Sequence, residues 1–320
     1  STTYSSLLTF LAGGAIVGTL AALHLRRTIF DLNTKKETAI KSAVAAVKEK
    51  NIHGATTSIT SNTQSVAGYT VVVTGASSGI GRAIAKAFHD AGANVAVGAR
   101  RLERLEALCC ELDPSSNGTA LPVKTDVTSA ESVKNLVSQA EAKFGRGCDI
   151  IVNVAGVMYF TMMKNCKTDE WDKTVDVNCK GVLNGFGAVL DGMVKRGKGH
   201  IITISSDAGR RVFPKLAVYC ASKYFVEALS EATRRELVGT GLRVTTIQPG
   251  DCATDLVQNN TDKEALDSLG IKAGAVVGEG WANDWNMLQP ADVAASVMYA
   301  ATAPAHVAIN EVLIEPRDQE

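Results

Sequence analysis

Residues 70–81 read Thr-Val-Val-Val-Thr-Gly-Ala-Ser-Ser-Gly-Ile-Gly. The β-branched run Thr70–Thr74 predicts a buried parallel strand, because such a strand needs apolar side chains on both faces. The glycines that follow allow a tight turn into a helix that begins near Gly79. Amides and the positive end of the helix dipole then face outward, which predicts a pyrophosphate site, although glycine turns also serve packing alone. The residues assigned to this site are Gly75, Ser77, Ser78, Gly79, Ile80 and Gly81.

The composition excludes some classes of function. The 320 residues include 33 basic and 33 acidic ones, so the formal net charge is zero and nothing favours a nucleic acid as partner. Seven cysteines contain no Cys-x-x-Cys pair and have no zinc-like spacing with the five histidines. We therefore predict no metal site and a reducing compartment.

Strands and helices alternate from about Gly68 onward, which predicts an α/β fold with a Rossmann-type doubly wound parallel sheet. After the first strand we predict a second at Asn94–Val97, a third at Leu121–Val127 and a fourth at Ile150–Gly156. The third ends near Asp126, an acid placed to meet an adenine ring, and the small residues that end the fourth let backbone approach a cofactor. The cofactor contacts assigned here are Asp126, Val127, Asn153, Ala155 and Gly156.

The residues at the end of the second strand indicate whether the site prefers NAD(H) or NADP(H). A site that prefers NAD usually places an acid there to hold the ribose hydroxyls. This chain has Ala99 followed by Arg100 and Arg101, and two guanidinium groups suit a 2′-phosphate. The alternative is a solvated helix start. We predict NADP(H), with Arg100 and Arg101 among its contacts.

The first residues form an apolar stretch. Leu7–Leu25 has no charge, and Arg26 and Arg27 follow at once. At 1.5 Å per residue this stretch spans about 28 Å, close to the thickness of a bilayer core. We predict a transmembrane anchor in residues 1–27, with a signal peptide or a buried helix as alternatives. Residues 28–67 then form an amphipathic or solvated helix, Thr28–Lys50, and a polar linker.

The chain resembles the short-chain dehydrogenase/reductase family over roughly residues 68–318. The motifs that carry the resemblance are Thr74–Gly81, Asn153-Val-Ala-Gly156, Asn178, Ser206, Tyr219-Cys-Ala-Ser-Lys223 and Pro249-Gly250. The ending His306–Pro316 is similar to the NADP-dependent 3-hydroxy-acid (serine-type) dehydrogenases. One departure is Val154, where the family usually has a second Asn. Residues 68–320 are therefore expected to be the enzyme domain.

The resemblance implies a catalytic set. Tyr219 and Lys223 are one helical turn apart, and the lysine ammonium together with an oxidised nicotinamide is expected to lower the pKa of the phenol. Tyr219 would donate a proton to a carbonyl oxygen as hydride reaches the carbon, and Ser206 would bond the same oxygen. Asn178 would hold a water that links Lys223 to solvent, and Lys223 would also hold the nicotinamide ribose. Around the nicotinamide the resemblance implies Pro249, Gly250 and Thr254, besides Tyr219 and Lys223.

These expectations define an enzyme. We expect an NADP-dependent oxidoreductase acting on CH-OH donors, a membrane-tethered carbonyl reductase or alcohol dehydrogenase with a small or apolar substrate. Residues Leu256–Gln289 contain Trp281, Trp285 and Met287 and could cover an apolar substrate, a lipid or a protein. The alternative is an accessory subunit of a membrane complex that binds NADP(H) with little turnover. The resemblance also implies a homo-oligomer in which Asn178–Lys195 and Tyr219–Val238 pair across a two-fold axis.

The basic residues after the apolar stretch predict topology. By the positive-inside rule they place the enzyme domain on the cytosolic or matrix side of the membrane. The sequence favours the mitochondrial inner membrane, with the endoplasmic reticulum as the alternative.

Overall fold

The computed structural model describes residues 63–112, 114–271 and 287–319. Seven strands form one sheet in the order β3-β2-β1-β4-β5-β6-β7, and every neighbouring pair is parallel. The chain order reverses between β1 and β4, which is the switch point of a doubly wound sheet. The predicted fold class is confirmed. The strands are β1 Thr70–Thr74, β2 Asn94–Ala99, β3 Ala120–Lys124, β4 Ile150–Asn153, β5 Gly199–Ile204, β6 Leu242–Pro249 and β7 Glu311–Ile314.

Helices cover both faces of this sheet. The described helices are α1 Gly79–Asp90, α2 Leu102–Glu111, α3 Ala130–Phe144, α4 Thr168–Val175, α5 Gly181–Arg196, α6 Ala217–Glu236, α7 Lys263–Asp267 and α8 Pro290–Ala301. Helices α1, α2 and α8 bury apolar side chains in a cluster on one face, and α3, α5 and α6 do so on the other. Val71 and Val73 of β1 belong to the first cluster and Val72 to the second, all fully buried. The β-branched run is buried on both faces, as predicted.

Three predicted strands end at a different residue in the structure. Strand β2 continues to Ala99, β4 ends at Asn153 instead of Gly156, and β3 ends at Lys124 instead of Val127. The reason for the end of β3 is a turn in which the Asp126 Oδ1 accepts hydrogen bonds from the backbone N–H (3.0 Å) and the hydroxyl (2.8 Å) of Thr128. Asp side chains commonly end strands by such local bonds, a signal that the apolar pattern does not contain.

Residues 63–67 were predicted to be part of a polar linker, but in the structure they belong to the folded unit. Val66 is only 2% exposed and packs in the cluster that contains α1. The backbone N–H of Gln64 also donates to the carbonyl oxygen of Thr302, at 2.6 Å. The predictions for Leu7–Leu25 and Thr28–Lys50, like those for Trp281 and Trp285, concern residues outside the described ranges.

The predicted membrane localisation is contradicted. Among the residues that the structure describes, no helix is both long and apolar enough to cross a bilayer. The longest of these helices is α6, with 20 residues, and it includes Lys223, Glu227, Glu231, Arg234 and Arg235. Charges at these positions are costly in a bilayer core. We therefore withdraw the placement at a mitochondrial inner or endoplasmic-reticulum membrane.

Candidate active site

A cleft of about 1460 Å³ opens at the carboxyl ends of the central strands. In parallel α/β sheets this edge at the switch point is where ligands bind. Two predicted site residues, Asn153 and Asn178, do not line the cleft. Those that do are Gly75, Ser77, Ser78, Gly79, Ile80, Gly81, Arg100, Arg101, Asp126, Val127, Ala155, Gly156, Ser206, Tyr219, Lys223, Pro249, Gly250 and Thr254.

The turn between β1 and α1 forms one wall. Gly75 has a φ of +69°, and a Cβ there would lie 2.7 Å from the backbone N and Cα of Ala155. The Thr74 hydroxyl accepts hydrogen bonds from the backbone N–H groups of Val154 (3.1 Å) and Ala155 (3.4 Å). The Ser78 side chain makes no capping bond to α1, so the first amides of the helix are available to an anion. This turn fits a pyrophosphate.

Positive charge is concentrated next to that turn. The Arg101 guanidinium donates to the Ser77 hydroxyl at 2.9 Å, and Arg100 lines the same cleft. Burial, followed by repulsion from Arg104 and Arg100, lowers the pKa of Arg101. A dianionic phosphate would relieve this repulsion, and Ala99 offers no competing carboxylate.

Ser206, Tyr219 and Lys223 meet at the other end of the cleft. Ser206 follows β5, whereas the other two lie in the first turns of α6. Tyr219 is 8% exposed, and its phenol lies close enough to the Ser206 hydroxyl for the two groups to interact. The Lys223 Nζ lies 5.5 Å from the centroid of the Tyr219 ring and donates to the carbonyl oxygen of Ile204 at 3.0 Å. An acid, a hydroxyl and an ammonium group are thus brought together.

The pKa of Tyr219 differs in direction from the expectation. Burial raises the pKa of this phenol above its usual value, and the charge of Asp207 adds to the increase, while the bond to Ser206 opposes it. Burial also lowers the pKa of Lys223 to about 8, against the effects of Glu227 and Cys179. Desolvation outweighs the ion–phenol attraction because both groups are buried. At neutral pH Tyr219 therefore keeps its proton and can donate it.

Asn178 supports the site from behind. It lies in a π-helical turn, Asp176–Lys180, between α4 and α5. Its side-chain amide bonds the backbone N–H and carbonyl of Val157, both at 2.9 Å, and the Ser222 hydroxyl at 3.1 Å. These bonds fix the loop after β4. The water link to Lys223 stays a prediction.

The prediction for Asn153 as a cofactor contact is corrected. Its side chain is 4% exposed and donates to the Thr203 hydroxyl at 3.4 Å. It packs against Gly185, where a Cβ would lie 2.0 Å from the Asn153 Oδ1. Asn153 therefore lies beneath the cleft, because the sheet turns its side chain towards α5.

The sequence analysis missed three polar residues of the cleft. Asp207 Oδ1 accepts a hydrogen bond from the Ser206 hydroxyl at 2.8 Å, and its Oδ2 accepts one from the Gln319 amide at 2.9 Å. Asp251 lines the cleft nearby, and its carboxyl makes no hydrogen bond or ion pair with the described residues. Asp207 could have been found as the acid directly after Ser206. Nothing local marks Gln319, which is distant in sequence from both acids.

Residues 69–265 match the family described as short chain dehydrogenase. The chain belongs to this family. Glycine betaine reductase of Emericella nidulans is 53% identical over 254 residues, which cover 79% of this chain and 19% of that protein. This chain thus spans about a fifth of that relative's length. An uncharacterized oxidoreductase of Staphylococcus saprophyticus is 39% identical over 251 residues, covering 78% of this chain and 96% of the relative.

A solved structure in the same family is similar as well. The closed form of a serine dehydrogenase complexed with NADP+ aligns with a TM-score of 0.68 and 32% identity, covering 78% of this chain and 96% of that one. The family predicted from the motifs is therefore confirmed, and the protein is an oxidoreductase of this family. The NADP+ in that complex agrees with the NADP(H) prediction. These findings give the membrane extension no support.

The buried ammonium of Lys223 predicts a pH dependence of stability. Its folded-state pKa of about 8 lies below the ordinary 10.5, so the unfolded chain binds this proton more tightly. The buried ammonium therefore lowers the free energy of unfolding. This destabilisation is complete below pH 8 and disappears as the pH rises towards 10.5. Between pH 7.5 and 10.5 we expect the free energy of unfolding of the wild type to rise by on the order of 2–3 kcal/mol relative to that of Lys223→Met. The measurement is urea unfolding at each pH.

The matched control is Lys195→Met, which removes an exposed lysine paired only with Asp191. Its difference from the wild type should vary little with pH. A constant difference between wild type and Lys223→Met would show that Lys223 is not desolvated in the folded protein.

Proposed function

We propose that the protein is an NADPH-dependent reductase of small carbonyl compounds, which also oxidises the corresponding alcohols. The observation that carries this proposal is the buried contact of Tyr219, Ser206 and Lys223 at the end of a cleft whose other end is the β1–α1 turn. The similarity to a serine dehydrogenase supports the family subgroup named by the sequence analysis, although the substrate class proposed below is not a 3-hydroxy acid.

Each group has a role in this reaction. Bound NADPH supplies the hydride that reaches the carbonyl carbon. Tyr219 gives its proton to the carbonyl oxygen, which is favoured because burial keeps the phenol protonated. Ser206 shares in the hydrogen bonding at that oxygen, and Lys223 holds the ribose and stabilises the tyrosinate left behind.

The remaining lining residues would hold the cofactor. The first amides of α1 would bind the pyrophosphate, and Arg100 and Arg101 the 2′-phosphate. Asp126 would lie on the adenine side, while Gly250 and Thr254 lie at the nicotinamide end. All of these side chains or backbones line one continuous cleft.

The charge of the cleft supports a cationic substrate. Burial, and then the charge of Asp207, raises the pKa of Asp251. Arg211 is the base that contacts Asp207, at 3.5 Å, and it is shared with Glu315. Negative charge is therefore in excess beside Ser206. The ring of Phe160 packs in the cluster that contains Ala208 and Tyr219 and lines the same cleft, and an aromatic ring suits a cation.

The name of one relative suggests which cationic group the substrate carries. Glycine betaine, the compound in the name of the Emericella relative, carries a permanent quaternary ammonium group. We therefore propose a small aldehyde with such a group as the substrate class. Beside Asp251 its positive charge would be favoured, whereas the carboxylate of a 3-hydroxy acid would be repelled.

Exposed apolar side chains support a homo-oligomer. Leu183 and Val194 of α5, and Tyr224 and Phe225 of α6, are each at least one third exposed. These are the helices expected to pair across a two-fold axis. The accessory-subunit alternative was motivated by the N-terminal extension, which lies outside the described residues, and we do not carry it further.

The choice of cofactor can be tested at Arg100. Its replacement, Arg100→Ala, removes one guanidinium from the group proposed to hold the 2′-phosphate. We expect NADPH binding to weaken by about 1–3 kcal/mol and NADH binding to stay unchanged, by fluorescence titration. Arg104→Ala is the control, because Arg104 does not line the cleft. Equal affinity of the wild type for NADPH and NADH would contradict the proposal.

The proton donor can be tested by Tyr219→Phe. We expect NADPH consumption to fall by about 10²–10⁴-fold with NADPH affinity retained, because only the hydroxyl is lost. The control is Tyr224→Phe, an exposed tyrosine on the same helix, which should keep full activity. Full activity of Tyr219→Phe would refute this mechanism.

The substrate class can be tested with two aldehydes of the same shape. Betaine aldehyde and 3,3-dimethylbutanal differ by the exchange of a quaternary nitrogen for carbon. We expect kcat/KM to favour the cationic aldehyde by at least about tenfold, the scale of a partly screened charge pair. The variant Asp251→Asn should reduce this preference. A preference for the neutral aldehyde, or for L-serine as an alcohol substrate, would contradict the proposed class.

A further inference from the structure

We infer that Asp207 is a positioning residue of this reductase, which orients the Ser206 hydroxyl, and that Gln319 holds Asp207 in place. The inference rests on the proposed function. Asp207 and Gln319 belong to none of the family motifs on which the site was predicted. They are recognised from the hydrogen bonds that connect them to the catalytic centre.

The contact between Asp207 and Ser206 is direct and buried. Asp207 is 7% exposed, and its Oδ1 accepts hydrogen bonds from the Ser206 hydroxyl and the backbone N–H of Ala208, both at 2.8 Å. The same N–H also lies 3.1 Å from the Ser206 Oγ. An ionised carboxylate only accepts hydrogen bonds, so the Ser206 proton points to Asp207.

Gln319 holds the other side of the carboxylate. Its amide nitrogen donates to the Asp207 Oδ2 at 2.9 Å, and its amide oxygen accepts from the backbone N–H of Asp251 at 2.8 Å. A Cβ on Gly250 would lie 2.3 Å from that amide oxygen, so a larger residue there would displace the end of the Gln319 side chain. One side chain near the end of the chain thus connects the loops that follow β5 and β6.

These contacts bear on the acid that donates the proton. The ionisable groups that face Tyr219 are Asp207 from the turn after β5, and Cys220 and Lys223 from its own helix. Asp251 and Arg211 act on Asp207 from the neighbouring loops. The negative charge of Asp207 disfavours the tyrosinate, so it keeps the donor protonated to higher pH. Its hydrogen bond also fixes the oxygen to which the phenol is bonded.

The variants Asp207→Asn and Gln319→Ala test the inference, with Asp318→Asn as control. Asp318 is exposed and lies next to Gln319, and among the described residues its polar partner is Arg317. The measurement is kcat for NADPH oxidation from pH 6 to about pH 11.5 at saturating aldehyde, where changes in substrate affinity do not enter, because burial places the Tyr219 pKa above its usual value of about 10. We expect Asp207→Asn to lower kcat about tenfold and to move the alkaline limb of the profile to lower pH. A role in folding alone would not move this limb.

Gln319→Ala should lower kcat severalfold in the wild-type background and have little further effect in Asp207→Asn, because it acts through Asp207. NADPH affinity should stay within about twofold of the wild type in all variants, which shows that they are folded. If Asp207→Asn does not fold, a loss of kcat in Gln319→Ala that is missing in Asp318→Asn supports the inference.

Two results would overturn it. The first is an active wild type whose alkaline limb does not move in Asp207→Asn, or independent effects of Asp207→Asn and Gln319→Ala on kcat. Either outcome would remove the positioning role of Asp207 and leave the proposed function unaffected. A wild type that consumes no NADPH with any carbonyl would overturn the proposed function, and this inference with it.

Discussion

The close approach of the β1–α1 turn to the end of β4 is the constraint on which the rest of the structure depends. A Cβ at Gly75 would collide with the backbone of Ala155, and one at Gly81 would lie 2.4 Å from the carbonyl oxygen of Gly75. With no side chains there, the Thr74 hydroxyl reaches the amides that follow β4. The turn therefore stays close to the sheet, and the amino end of α1 opens onto the cleft.

The opposite end of the cleft is formed by groups that are costly to bury. An ammonium, a phenol and a carboxylate lie within one network, yet each has a specific partner: the Ile204 carbonyl for Lys223, Ser206 for Tyr219 and Gln319 for Asp207. Such satisfied networks are tolerated in interiors because unpaired groups would cost more. Burial raises the pKa of Tyr219 most, and Ser206 and Asp207 then act on it in opposite directions, so the phenol keeps its proton at neutral pH.

The sequence was informative where structure is local. The β-branched run Thr70–Thr74 and the glycine spacing predicted β1, the turn and the start of α1, because these depend on neighbouring residues. It was less informative where distant segments meet. The direction of the Tyr219 pKa depends on burial, and the place of Asn153 depends on a contact with Gly185. Val66 lies in a polar stretch, so its burial against α1 had no signal in the composition.

In this cleft the groups proposed to react lie in the sequence motifs, whereas the groups proposed to select the substrate lie outside them. The motif residues provide an acid and a cofactor site, but the charge beside Ser206 comes from Asp207 and Asp251, which the motifs do not include. In the proposed reaction the one Ser206 proton would have two acceptors, the Asp207 carboxylate and the carbonyl oxygen of the substrate. A cationic group near these acids would weaken the hold of Asp207 on that proton and free it for the carbonyl. A neutral aldehyde of equal size would leave the serine proton on Asp207. Substrate charge and the orientation of Ser206 are therefore linked through the same carboxylate.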